Sequence, residues 1–153
     1  MILLCALFVG REYTAYIKKR LSEYRGFASL IAHIEGMISR FLTPQDSLWQ
    51  SFSDEVLEKC GFLAALREGG SLSDAFEACR ASLSLSDGVK SRLSSFFSGF
   101  GAEYMDGELS RSSDFRSELE DGLKKEESEL EKSLKITNAL LLAGSVGIVI
   151  LII

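Results

Sequence analysis

The last eighteen residues, Ile136 to Ile153, carry no charged side chain, and eleven of them are isoleucine, leucine or valine. As a helix this stretch rises about 27 Å, close to the roughly 30 Å hydrocarbon core of a bilayer. Each Ile, Leu or Val contributes about −0.3 to −0.6 kcal/mol at mid-membrane, which outweighs the cost of Thr137 and Asn138 near one edge. A buried core helix is the competing reading. It is disfavoured because such a helix needs chain on both sides to cover it, and this one ends the sequence. The expectation is a transmembrane helix over 136–153.

Charge follows the same division. All 39 charged side chains (17 basic, 22 acidic) lie between Arg11 and Lys135. Three regions result: a short apolar segment at 1–10, a charged middle at 11–135 and the apolar end at 136–153. With 153 residues the chain has room for one compact domain. A single proline, against many Leu, Ala, Glu, Lys and Ser, favours helices over strands. The net charge of −5 argues against nucleic acid as a partner, and no basic patch with interleaved aromatics occurs. Cys5, Cys60 and Cys79 form no C-x-x-C pair, and read as small apolar residues in a reducing compartment.

The first nine residues are wholly apolar but reach only about 13 Å as a helix, too short to span. Three readings stay open: the end of a first spanning helix whose start lies upstream, insertion into one leaflet, or folding onto the domain. No positive region precedes them, which disfavours a cleaved signal peptide. Arg11, Lys18, Lys19 and Arg20 follow this segment, while Lys124, Lys125, Lys132 and Lys135 precede the apolar end. Both membrane-proximal edges of the middle region are therefore basic. The positive-inside rule puts that region in the cytoplasm.

Within 11–135 the apolar spacing is helical. Ile17, Leu21, Tyr24, Ala28, Ile31, Ile34, Ile38 and Phe41 mark a first helix, weakened at Gly26 and Gly36. Thr43, Pro44 and Asp46 predict the start of a second helix, which carries Leu48, Trp49, Phe52, Val56 and Leu57 to a stop at Gly61. A short segment from Phe62 to Arg67 is broken at Gly69-Gly70. Ser71 with Asp74 caps the next helix. Ser86-Asp87-Gly88 turns into another, whose Phe96, Phe97 and Phe100 read as core. The last helix, from about Asp106, has Leu109, Phe115, Leu119, Leu123, Leu130 and Leu134 mostly four or seven apart. That spacing gives a narrow stripe, with Leu109, Leu119, Leu123, Leu130 and Leu134 as candidates for contact with a partner helix. No breaker separates this helix from Ile136. The fold expected is all-α, a cytoplasmic helical bundle continuous with a C-terminal transmembrane helix.

Catalytic chemistry is not visible. His33 is the sole histidine and has no H-x-x-x-H partner. Glu126, Glu127, Glu129 and Glu131 belong to an amphipathic charge pattern without a Glu-x-x-His. No phosphate loop occurs, and Gly99-Phe100-Gly101 lacks the rest of a dinucleotide fingerprint. No catalytic, cofactor or metal set and no small-molecule substrate are expected.

The order of features resembles the stage III sporulation protein AB family of endospore-forming bacteria. The resemblance rests on the apolar start ending in Gly10-Arg11, the basic Lys18-Lys19-Arg20-Leu21, and Phe41 to Pro44. It continues through Gly61 to Leu63, Ala75-Phe76, Phe100-Gly101 before Asp106, and Lys132 and Lys135 before the apolar end. Family members usually begin with a full spanning helix, where this chain has nine apolar residues. Their last span usually has two glycines four apart; here Ala143 and Gly147 hold that spacing, a small-residue face for contact between membrane helices. The resemblance implies a platform in the channel complex between mother cell and forespore, similar to F-type platform proteins of type II secretion and type IV pilus machines. It further implies a cell-membrane protein with its bulk in the mother-cell cytoplasm. The partners implied are a cytoplasmic secretion-type ATPase and other channel-complex membrane proteins. The alternative, from the residues alone, is a generic membrane-anchored helical adaptor that pairs with another membrane protein.

Overall fold

The structure is a computed structural model. It describes the backbone of residues 2–40, 51–102 and 105–152, and side chains within 11–39, 51–102 and 106–136. In chain order the helices are α1 (Ile2–Arg40), α2 (Glu55–Lys59), α3 (Phe62–Arg67), α4 (Leu72–Cys79), α5 (Asp87–Ser98) and α6 (Met105–Ile152), with a 3-10 turn at Arg80–Ser82 after α4. No strand occurs among the described residues, in line with the all-α expectation.

The long helices α1 and α6 pack antiparallel. Arg20 pairs with Glu126, Arg25 with Glu127 and Glu35 with Arg116, so numbers rise along one helix as they fall along the other. The start of α1 and the end of α6 therefore share one end of the pair. α6 continues as an unbroken helix past Ile136, as the absence of a breaker predicted. Among the described residues no helix is long and apolar enough to cross a membrane. The apolar start at 1–10 and the expected span over 136–153, apart from Ile136, fall on side chains outside those residues.

The short helices cover one side of this pair. Ile17, Leu21, Tyr24, Ile31 and Ile34 of the expected α1 stripe are buried, and Phe27 and Leu30 join them at the centre. Phe27 meets Phe62, Phe76 and Phe97 at ring-centroid distances of 5.5, 5.7 and 6.1 Å. Four elements are thus pinned by one aromatic cluster. Burying a phenylalanine contributes about 1.5–3 kcal/mol, so each ring of this cluster adds stability of that order.

The second helix differs from its expectation. Residues 41–50, with the predicted start at Pro44, lie outside the described residues. Phe52 and Asp54 are not helical, and α2 begins only at Glu55. Asp54 is extended (φ −146°, ψ 124°), and its Oδ1 accepts the N–H groups of Val56 and Leu57, both at 3.0 Å. A carboxylate that satisfies these orphan donors makes a helix start where periodicity alone reads through. Phe52 meanwhile is buried beside His33.

The other boundaries follow the sequence. Gly61 has φ +86°, a left-handed backbone that ends α2 without the penalty a Cβ would bring. Ser71 Oγ accepts the Asp74 N–H at 3.1 Å and caps α4. Past α5 the chain turns at Gly101, whose N–H donates to the buried Glu108 carboxylate on the first turns of α6 at 3.0 Å.

Candidate functional site at the open end of the helical pair

Two kinds of surface distinguish this bundle: an uncovered apolar end and a band of ion pairs above it. Among the described residues the exposed large hydrophobics are Tyr13 (52%), Tyr16 (49%), Leu134 (36%) and Ile136 (62%). Two lie in the first half of α1 and two in the second half of α6, so antiparallel packing places all four toward the same end of the pair. Exposed Arg11, Lys18 and Lys19 on α1, and Lys132 and Lys135 on α6, share that end. Tyrosine beside lysine and arginine, next to an apolar stretch, is the composition that favours a membrane–water interface. The basic flanks were legible in the sequence. The tyrosines were equally visible there, but only the register of α1 on α6 sets them level with Ile136.

Further along, charge joins the two long helices. Arg20 bonds Glu126, and Arg25 bonds Glu127. Arg116 Nε donates to both oxygens of Glu35, at 3.2 and 3.0 Å, and its Nη1 donates to Glu120 at 2.9 Å. The Glu35 carboxylate beside it raises the pKa of Arg116 above its ordinary value. Tyr24 packs between α1 and Gly122 of α6, and burial followed by the Glu126 charge pushes its phenol up. These pairs fix register more than they add stability, because most are at least partly solvated.

One face of α1 also holds the segment after the 3-10 turn. Tyr16 Oη donates to Ser84 O at 3.1 Å, and Lys19 Nζ donates to Ser82 O at 3.1 Å. Glu23, only 1% exposed, accepts the N–H groups of Ser84 at 2.6 Å and Leu85 at 3.1 Å. Burial pushes its carboxyl pKa above the ordinary 4.5, against the opposing pull of those bonds and of Lys19. Sequence reading missed this residue: between Lys19 and Arg25 it looks like part of a solvated charged face.

The predicted stripe on α6 is divided. Leu119 is buried in the core and Leu123 packs against it, while Leu109 and Leu130 are half-buried and Leu134 is exposed. Leu119 and Leu123 thus serve the bundle itself. Ala143 and Gly147 lie on the α6 backbone, with side chains outside the described residues.

His33 is half-buried, with Nε2 at 3.4 Å from Ser51 Oγ and its ring against Phe52. Cys79 is buried and Cys60 half-buried; Cys5 lies outside the described side chains. Cys60 Sγ donates to Leu57 O at 3.4 Å and Cys79 Sγ to Phe76 O at 3.3 Å, each three residues back along the chain. Interaction with Cys60, then burial, raises the Cys79 thiol above its ordinary value. Among the described residues no three His, Cys, Asp or Glu side chains gather to hold a metal ion. A shallow groove of about 280 Å³ runs beside the stacked Phe96 and Phe115, with Arg92, Arg111 and Glu118 on its rim.

The fold and these surfaces define a small all-helical protein built on an antiparallel helical pair, with the exposed large hydrophobics among the described residues lying toward one end. The chain belongs to the stage III sporulation protein AB family, whose model matches residues 1–153. No curated protein and no solved structure matches it. Membership gives the protein a role in sporulation, in a family not known for enzymes.

Proposed function

We propose that this protein is a non-enzymatic membrane platform of the mother cell–forespore channel complex. In this reading the 11–135 bundle stands in the mother-cell cytoplasm, and α6 enters the membrane at Ile136. One observation carries it: the exposed Tyr13, Tyr16, Leu134 and Ile136 gather at the end from which α6 continues into eighteen uncharged residues. A water-facing helix end has no reason to concentrate apolar surface, whereas an interfacial one does. The basic side chains around it support the same orientation. Ala143 and Gly147 would supply a close-packing face against another membrane helix.

The bundle's role is to dock a cytoplasmic secretion-type ATPase, alongside other membrane proteins of the complex. Exposed carboxylates on α6, among them Asp114, Glu118, Asp121, Glu129 and Glu131, give the partner a charged surface to read. The test pairs fractionation with capture. The full chain should remain with membranes after cell lysis and high-salt washing, and should be released by detergent. In detergent it should bind the ATPase at low salt and release it as salt rises. Recovery of the full chain in the soluble fraction overturns the membrane reading. A membrane-bound chain that neither binds nor crosslinks to the ATPase in sporulating cells overturns the docking role.

A further inference from the structure

The cations of this chain are not spent evenly. Arg20, Arg25 and Arg116 hold carboxylates across α1 and α6, and Arg92 holds Glu118. Lys59, Arg67, Arg80, Arg111 and Lys124 each hold a nearby acid. Lys19 donates to Ser82 O at 3.1 Å and stands 3.7 Å from Glu23. Arg11, Lys18, Lys132 and Lys135 are exposed and make no ion pair; among the described residues only Lys90 and Lys125 share that condition. Glu131 lies four residues before Lys135, a spacing at which helix pairs form, yet the two do not bridge. The unpaired four also lie together. Arg11 and Lys18 are seven residues apart, on one stripe of α1, and Lys132 and Lys135 are three apart on α6. The ion pairs that set the register bring the stretch around Tyr13 level with the stretch around Ile136. Along the axis Lys135 and Lys132 stand about 1.5 and 6 Å from Ile136, and Lys18 about 7.5 Å beyond Tyr13. Exposed Tyr13 and Tyr16 occupy the same level. Glu12 and Glu131 share this stretch and are exposed too, so the cations remain in excess.

We propose that Arg11, Lys18, Lys132 and Lys135 form a collar that binds the phosphates of anionic phospholipids, with Tyr13 and Tyr16 seated among the headgroups. This rests on the membrane reading above and names the lipid class that the end of the helical pair selects. A cation already bridged to a carboxylate must give up that partner to take a phosphate. These four give up only water. Like charges gathered on two packed helices repel one another, and anions among them relieve the repulsion. Depth points the same way. The headgroup layer is about 5–7 Å thick on each side of the hydrocarbon. The negative potential of an anionic leaflet decays over a Debye length, about 10 Å at 0.1 M salt. All four cations fall within that reach of the level of Ile136, whereas Lys125, about 16 Å away along α6, falls outside it. Tyrosine rings belong in the same layer, where an apolar body and a polar tip are both accommodated. Since the collar draws on both long helices, bound anionic lipid also holds the start of α1 to the end of α6.

The test uses the full chain reconstituted into phosphatidylcholine vesicles that carry a trace of spin-labelled phosphatidylglycerol or spin-labelled phosphatidylcholine. Flotation reads whether the chain is in the vesicles, and the spectrum reads the fraction of label held immobile against protein. The phosphatidylglycerol label should be favoured by about threefold or more at low salt. The preference should fade as salt approaches about 1 M. Combined Arg11→Gln, Lys18→Gln, Lys132→Gln and Lys135→Gln should remove it, and Lys125→Gln should leave it intact. Soluble glycerol phosphate, added at constant ionic strength, should not displace the lipid. Full displacement overturns a lipid-surface site in favour of a free anion. An unchanged preference in the fourfold variant overturns the collar, and all the more if that variant loses capture of the ATPase, which would assign these cations to an acidic protein surface. If the fourfold variant fails to reconstitute, the wild-type comparison and its salt dependence decide. A chain that fails to float overturns the membrane reading and this inference with it. A chain that floats yet holds both labels equally overturns this inference alone.

Discussion

The carboxylate of Glu23 accepts the backbone N–H of Ser84 at 2.6 Å inside a site that is almost fully closed to solvent. With the second bond from Leu85, this one side chain anchors the segment between the short helices and α5 to the middle of α1. Glu23→Ala leaves both N–H groups buried and unpaired. The expected loss is about 2 kcal/mol or more, read from urea unfolding. Glu23→Gln keeps an acceptor oxygen and should cost less. The pH dependence has a defined sign. Because burial raises this carboxyl above 4.5, the folded state binds the proton more tightly than the unfolded chain. Its contribution to stability is therefore fully present below 4.5 and falls as pH rises through the elevated folded value. Wild-type stability minus that of Glu23→Gln should decline with rising pH across that window. A difference that grows with pH contradicts the assignment.

Phe27 offers the sharpest test of the core. It is fully buried and its ring touches three others, so Phe27→Ala should cost about 3–5 kcal/mol. Phe27→Leu should recover more than half of that loss. Thermal melts of the full chain in detergent provide the readout, and an alanine variant with unchanged midpoint would remove Phe27 from the centre of the fold.

Gly26 and Gly36 lie on the same helix but should respond in opposite directions to alanine. At Gly36 an added Cβ meets nothing within 4 Å, so helix propensity should stabilise the variant by up to about 1 kcal/mol. At Gly26 the Cβ would meet Asp54 Oδ1 at 3.1 Å and Leu57 Cγ at 3.3 Å. Asp54 is held by its capping bonds and Leu57 by the core, so neither yields easily. Gly26→Ala should lose about 1 kcal/mol despite the propensity gain. Equal stabilisation of both variants would show that α2 does not approach α1 this closely.

The Glu35–Arg116 pair should couple weakly and in a salt-dependent way. Arg116 is about a third exposed, so solvent screens the attraction. A double-mutant cycle with alanine at both positions should give about 0.5–1 kcal/mol at low ionic strength, shrinking as salt is added. A coupling energy several times larger, or indifferent to salt, argues against a screened pair.

Particular residues mark how far the sequence could be read. Ile17, Leu21, Tyr24, Ile31 and Ile34 announced the buried face of α1 because each obeys the helical repeat. Ser71 with Asp74 announced a cap because that signal is local. Asp54 carried the same kind of signal, but apolar residues at helical spacing on both sides concealed it. The role of Glu23 was not legible, because it depends on where a distant segment lands. The division of the α6 leucines was hidden for a similar reason: periodicity shows that a stripe exists, and only packing shows that Leu119 is spent on α1 and its neighbours while Leu134 stays open. The family likeness came from the order of weak features along the whole chain, and the family match has the same extent.

The uninterrupted course of α6 sets a length scale. From Met105 to Ile136 the helix rises on the order of 45 Å, at 1.5 Å for each residue. Whatever grips the turn around Gly101 is held at that stand-off from whatever grips Ile136, because a helix braced along its flank shortens only by breaking.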